Sequence, residues 1–161
     1  IYFNILGIQP MKLSFLCDAH RQELSNNVTK AIRFWQEGFD TAQFFNEQRL
    51  WIDAIPHVGC AFEVAEIFIT NKEIDYSVAC EWFYESTLLL ADAFNSLGYT
   101  DEAYEVMGLA VDRFDRELTL PSVDQKLAMD YLNKLHWSEN LASNYIEFKR
   151  GIDRFSSMSV H

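Results

Sequence analysis

Glycine and proline are scarce in this chain, at 6 and 3 of 161 residues. Folds made of many short strands need a turn former at about every tenth residue, so the shortage argues against them and favours a few long helices. Cysteine is limited to Cys17, Cys60 and Cys80, an odd number without framework spacing. That excludes a disulfide scaffold and points to a reducing compartment, the cytoplasm. Basic residues are few, 13 Lys and Arg against 24 Asp and Glu, for a net charge of −11. Phosphate binding needs basic surface, so nucleic acid is excluded as a partner. No apolar run approaches the ~18–20 residues that span a bilayer. No phosphate-binding glycine loop, nucleophile elbow or nucleophile–base pairing occurs, so the chain reads as a non-enzyme without a cofactor.

What is present is apolar bulk. Hydrophobic residues make up 49% and aromatics 15%, with 13 Phe, enough for the core of a single domain. Acidity is concentrated ahead of residue 122, where 19 acids face 8 bases; beyond it the counts are equal. Such a body suits basic or amphipathic partners.

Residues 1–10 lack the basic start and small-residue cleavage site of a signal peptide. They read as a vector-derived or disordered leader, with the helical domain over 11–161. Leu13, Leu16, Cys17, His20 and Leu24 predict a short helix within 12–26, off whose stripe Phe15 falls. Asn26 or Asn27 caps a helix from Val28 to about Gln48, with Ile32, Trp35, Phe39, Ala42 and Phe45 on one face. Phe34 and Phe44 widen that face enough to predict cover on both sides, and Gly38 suits a close helix crossing. Pro56 belongs in a first turn, so the next helix is expected from Ile52 or Asp53 to Thr70, with Glu63 and Glu66 on its solvated side. Tyr76 to Leu97, apolar all round at Leu88–Ala91, predicts the central helix. Thr100 or Asp101 caps another to about Leu118. Ser122 with Gln125 suggests a capping box opening a helix from Val123 to His136. A further helix is expected to about Phe155, so that 122–155 forms a C-terminal helical pair.

Two hairpins repeat. Ala91, Phe94, Asn95, Glu102, Ala103, Met107 and Ala110 fall 49 residues after Ala42, Phe45, Asn46, Asp53, Ala54, Val58 and Ala61. Small residues recurring where paired helices cross, with a large aromatic one turn on, answer a need for close helix approach. Residues 84–115 resemble the tetratricopeptide repeat: Leu90, Ala91, Phe94, Ala103, Met107 and Ala110 match its small and large positions, and Leu97-Gly98-Tyr99-Thr100-Asp101-Glu102-Ala103 matches its turn. The chain departs at Thr87, where an aromatic is expected, and at Asp115, where a proline closes the repeat. Its period of 49 also exceeds the usual ~34. The resemblance implies an all-α array of about six helices in antiparallel hairpins, with two repeat-like hairpins over 27–118.

The same resemblance implies a non-catalytic interaction module, an adaptor or small chaperone, that binds a peptide along the first helices of each pair. Carried over residue by residue, the groove positions are Gln36, Phe39, Gln43 and Asn46, then Glu85, Leu88, Asp92 and Asn95. Asn46 and Asn95 can donate to and accept from a peptide backbone. No Lys or Arg stands among the eight, which disfavours a carboxylate clamp and favours a basic or amphipathic peptide. Two alternatives stand beside this one. Cys17-x-x-His20 and His57-x-x-Cys60 could form a Cys2His2 metal or redox set, since zinc takes four N or S ligands. An exposed apolar side of the array could make a homodimer.

Overall fold

The computed structural model describes residues 13–138, which are all-helical apart from their connections and contain no strand. The helices are α1 (Asp18–Asn26), α2 (Val28–Glu47), α3 (Trp51–Thr70), α4 (Tyr76–Ser96) and α5 (Thr100–Glu117). A sixth, α6, runs over 125–138. The leader 1–10, the second helix of the expected C-terminal pair and the tail lie outside the described residues.

Each hairpin is closed by the same three-residue turn. In the first, Arg49 N–H donates to Asn46 O (2.9 Å) and Leu50 N–H to Phe45 O (2.8 Å). In the second, Gly98 donates to Asn95 O (2.9 Å) and Tyr99 to Phe94 O (2.9 Å). This is the Schellman pattern, which satisfies the last carbonyls of a helix through one left-handed residue. That residue is Gly98 (φ 82°) in the second turn and Arg49 (φ 60°) in the first. Gly98 adopts the conformation without steric cost, whereas Arg49 must hold its Cβ against the following carbonyl. Leu50 and Tyr99 then serve at once as the end of one helix and the start of the next. Their carbonyls accept from Ala54 N–H (3.0 Å) and Ala103 N–H (3.1 Å). This double duty moves two expected boundaries. The third helix begins at Trp51 and carries Pro56 inside it. The fifth has Tyr99, not Thr100 or Asp101, as its cap residue, without a side-chain cap bond.

The elements pack by close approach. Ala42, Ala54, Ala61 and Ala110 are buried in the hairpins, and a Cβ on Gly38 would lie 3.3 Å from His57 O across the α2–α3 crossing. Helix α4 is central. Trp82 stacks on Trp35 of α2 (4.4 Å) and meets Phe68 of α3 (5.5 Å). The next residue, Phe83, meets Phe62 of α3 (5.2 Å) and Phe114 of α5 (5.6 Å), and Phe114 stacks on Tyr131 of α6 (5.6 Å). Three polar groups between the α2, α3 and α4 rings are paired: Trp35 Nε1 donates to Ser86 Oγ (3.0 Å) and Thr87 Oγ1 to Phe83 O (2.7 Å). Phe34 is partly covered by His20 of α1, but Phe44 is 58% exposed, so the second side of α2 is only half covered.

Two further expectations are corrected. The capping box at Ser122 and Gln125 does not form. Asp124 caps α6 by accepting from Leu127 N–H (3.0 Å), and Gln125 reaches back to Leu118 O. Asp124 lies 49 residues after Asp75, the cap of α4, which accepts from Ser77 N–H (2.9 Å). Ala128 and Leu132 are buried where Ala79 and Phe83 are buried in α4. In sequence register and burial, α6 corresponds to α4. The other correction concerns the N-terminal end. Helix α1 starts only at Asp18, and the residues before it, without regular structure, lie as a strap across α3.

Replacing Arg49 by Gly is expected to raise stability by about 0.5–1 kcal/mol, and replacing Gly98 by Ala to lower it by about 1 kcal/mol. Urea unfolding of the two variants checks the pair; an Arg49→Gly chain no more stable than the parent, or a Gly98→Ala chain without loss, would mean the two turns are not equivalent in backbone strain.

Candidate functional site

The strap is held by a carboxylate on α3. Glu63, only 4% exposed, accepts from Phe15 N–H at 2.7 Å and from Leu16 N–H at 3.0 Å. Arg21 of α1 closes the arrangement with a 2.7 Å ion pair to the same carboxylate. A carboxylate buried with three donors, one of them charged, is a compensated charge rather than a penalty. One turn before it, Gly59 leaves room for the Phe15 ring: a Cβ there would stand 2.2 Å from a ring carbon. The strap then leaves α3 for α5, where Leu13 N–H donates to Glu105 Oε1 at 3.3 Å. The α3 and α5 backbones themselves do not touch. The expected solvated pairing of Glu63 with Glu66 is therefore overturned for Glu63. At sequence level a glycine followed four residues later by a glutamate was the available signal, but α3's apolar stripe gave no reason to place a charge inside it.

The eight groove residues fall on the α2–α4 face. Gln36, Gln43, Glu85 and Asp92 are exposed, while Phe39, Asn46, Leu88 and Asn95 are half-buried. Phe39 stacks against Trp35 (5.1 Å), so its ring belongs partly to the core. Asn46 Nδ2 donates to Asp92 Oδ2 across the two helices at 3.4 Å. The Oδ1 atoms of Asn46 and Asn95, equivalent in the repeat, are both buried without a hydrogen-bond partner. Burial, and then the charge of Glu81, raise the carboxyl of Glu85 above its ordinary range. On the neighbouring helix, Lys134 lies over the rings of Tyr131 (4.4 Å) and Tyr84 (5.8 Å).

Cys17, His20, His57 and Cys60 do not form the Cys2His2 arrangement. Cys17 is exposed at the start of α1. His20 sits edge-on to Phe34 (5.4 Å) and His57 stacks on Phe45 (5.7 Å). Cys60 points its Sγ toward Phe15 O (3.8 Å). Among the described residues no three His, Cys, Asp or Glu converge to hold a metal ion.

A polar cluster unforeseen from sequence lies at the other end of the hairpins. Glu117 is buried and paired with Arg113 at 3.0 Å. The Tyr76 hydroxyl beside it is buried without a hydrogen-bond partner. Burial, with Cys80 and Glu117 near, pushes the Tyr76 hydroxyl's pKa up, and burial pushes the Cys80 thiol up to about 11. A cleft of about 550 Å³ opens next to this cluster, walled by Ile69, Ile74, Tyr76, Leu120 and Val123. The lone signal in the sequence was an i, i+4 Arg–Glu pair, which more often marks solvent-facing helix surface. Comparison with protein-family models, with curated proteins and with solved structures found no match.

Removing the strap's anchor by Glu63→Ala strands two backbone donors and Arg21, and is expected to cost about 2–4 kcal/mol. It also has a local readout. Burial and the Glu63 charge both raise the Cys60 thiol, so Cys60 is expected to react slowly with a thiol reagent in the native chain and markedly faster in Glu63→Ala. An unchanged Cys60 rate would mean the strap stays seated without the carboxylate.

Proposed function

We propose that the chain is an interaction module of tetratricopeptide type, an adaptor or small chaperone, and that its α2–α4 face takes a basic or amphipathic peptide. The observation that carries the proposal is the pairing of Asn46 and Asn95. Two equivalent amides stand half-buried on one face with an acceptor oxygen unused in each, beside the exposed carboxylates Glu85 and Asp92. A small rotation of either amide offers both a donor and an acceptor to a passing backbone. The acids add a field that attracts a cationic ligand and orients it. The raised carboxyl of Glu85 fits the same reading: burial first, and then the charge of Glu81, disfavour its charged form, and an arriving cation would offset both. Leu88 and the exposed edge of Phe39 supply apolar contact for the other side of an amphipathic helix.

Labelled amphipathic peptides of matched hydrophobicity, one basic and one acidic, test the proposal by fluorescence anisotropy. The basic peptide is expected to bind and the acidic one not. Glu85→Lys with Asp92→Lys is expected to weaken binding at least tenfold, and Asn46→Ala with Asn95→Ala by a lesser factor. Because the carboxyl of Glu85 titrates above its usual range, affinity is expected to fall as pH drops toward that range and its charge is lost. Indifference to peptide charge, or to both double variants, would remove this face as the binding surface.

A further inference from the structure

Sliding α3 onto α5 by 49 residues places Gly108 on Gly59, Leu109 on Cys60 and Asp112 on Glu63. The first set is the strap's seat: a glycine that admits the Phe15 ring and a carboxylate four residues on that takes main-chain amides. The second set has the same i, i+4 spacing and therefore the same placement on one helix face. Its burial differs. Glu63 is 4% exposed, whereas Asp112 is exposed and Leu109 is 41% exposed. A Cβ added at Gly59 would strike Phe15, whereas one added at Gly108 meets no atom of the described residues within 4 Å.

We propose that α5 carries a second strap seat, and that it binds an extended segment of a partner protein with an aromatic ring over Gly108 and a main-chain N–H on the Asp112 carboxylate. The chemistry of the occupant follows from the strap that fills the first seat. Phe15 supplies the ring, Leu16 the second amide, and Arg21 the cation that pairs with the carboxylate. Exposed Asp115 lies three residues from Asp112, and Arg116, one turn on, leans to Glu66 of α3 at 3.9 Å, so the acids on this face favour a basic residue in the same register. Asp112 is one methylene shorter than Glu63, so the incoming backbone must lie closer to the helix, and Gly108 leaves the space. A second copy does not supply the segment, because each copy's strap is already committed to its own Glu63. The proposal stands on α5 alone and is independent of the α2–α4 face.

The probe is a fluorescein-labelled peptide of residues 13–21 carrying Cys17→Ser, titrated into the full-length chain by anisotropy. Saturable binding is expected, weakened at least tenfold by Asp112→Asn, by Gly108→Leu, and by Phe15→Ala in the peptide. Both chain substitutions lie on exposed or half-exposed helix surface, and unchanged thermal unfolding confirms that they report on the seat. No saturable binding would overturn the proposal. Binding indifferent to Asp112→Asn and Gly108→Leu would also overturn it, by assigning the peptide to exchange at Glu63. The accessibility of the seat is read separately from Leu109→Cys. Fast modification of that thiol, slowed by the peptide, supports an open seat. Slow modification without peptide, in a monomer or in a dimer by light scattering, gives the face to the chain's own terminal segments or to a second copy, and overturns it.

Discussion

Close approach of helices is the constraint on which the rest of the structure depends. An antiparallel pair joined by three residues has no slack in its connection, so the helices must cross near their ends and at short range. Ala42, Ala54 and Ala61 in the first hairpin, and Ala91, Ala103 and Ala110 in the second, are buried and remove side-chain bulk that would hold the backbones apart. Gly38 does the same beside His57 O. With the crossings fixed, large rings are forced into the layers between helices, where Trp35, Trp82 and Phe68 form one contact series and Phe62, Phe83, Phe114 and Tyr131 another. Close packing of this kind leaves few positions that tolerate a change of volume.

The Glu63 carboxylate solves a problem that the hairpins create. The α3 and α5 backbones do not touch, and the strap bonds to both helices. Its backbone donors need partners once out of water. Glu63 and Glu105 supply those partners from the two helices, and Arg21 balances the deeper charge. The same arrangement explains why α1 starts as late as Asp18: the amides of Phe15 and Leu16 are committed to Glu63.

Each repeat keeps the crossing residues and varies the face around them. Schellman turns recur bond for bond at Arg49 and Gly98, and Asp caps recur at Asp75 and Asp124. By contrast, α3 is covered by the strap at Gly59 and Glu63, while Leu109 and Asp112 at the matching positions of α5 are exposed, and Arg113–Glu117 has no counterpart at Val64 and Phe68. The variable positions are where the two hairpins differ in what they can hold.

The six-helix, all-α architecture, the hairpin boundaries to within a residue or two, the cap at Asn27 and the central place of α4 were all legible in periodicity and turn residues, because these follow from local backbone chemistry and from which face is apolar. The 49-residue repeat was legible for the same reason, since close crossings leave a trace in small residues. The strap, the inward turn of Glu63 and the Tyr76–Glu117 cluster were decided only by the tertiary structure. A glutamate on an otherwise apolar helix reads as solvated until a distant segment offers it donors, and those donors were backbone amides, which every residue carries and no sequence pattern distinguishes. Dispersal of Cys17, His20, His57 and Cys60 has the same cause: spacing puts each pair on one helix face, but only packing decides whether two faces meet.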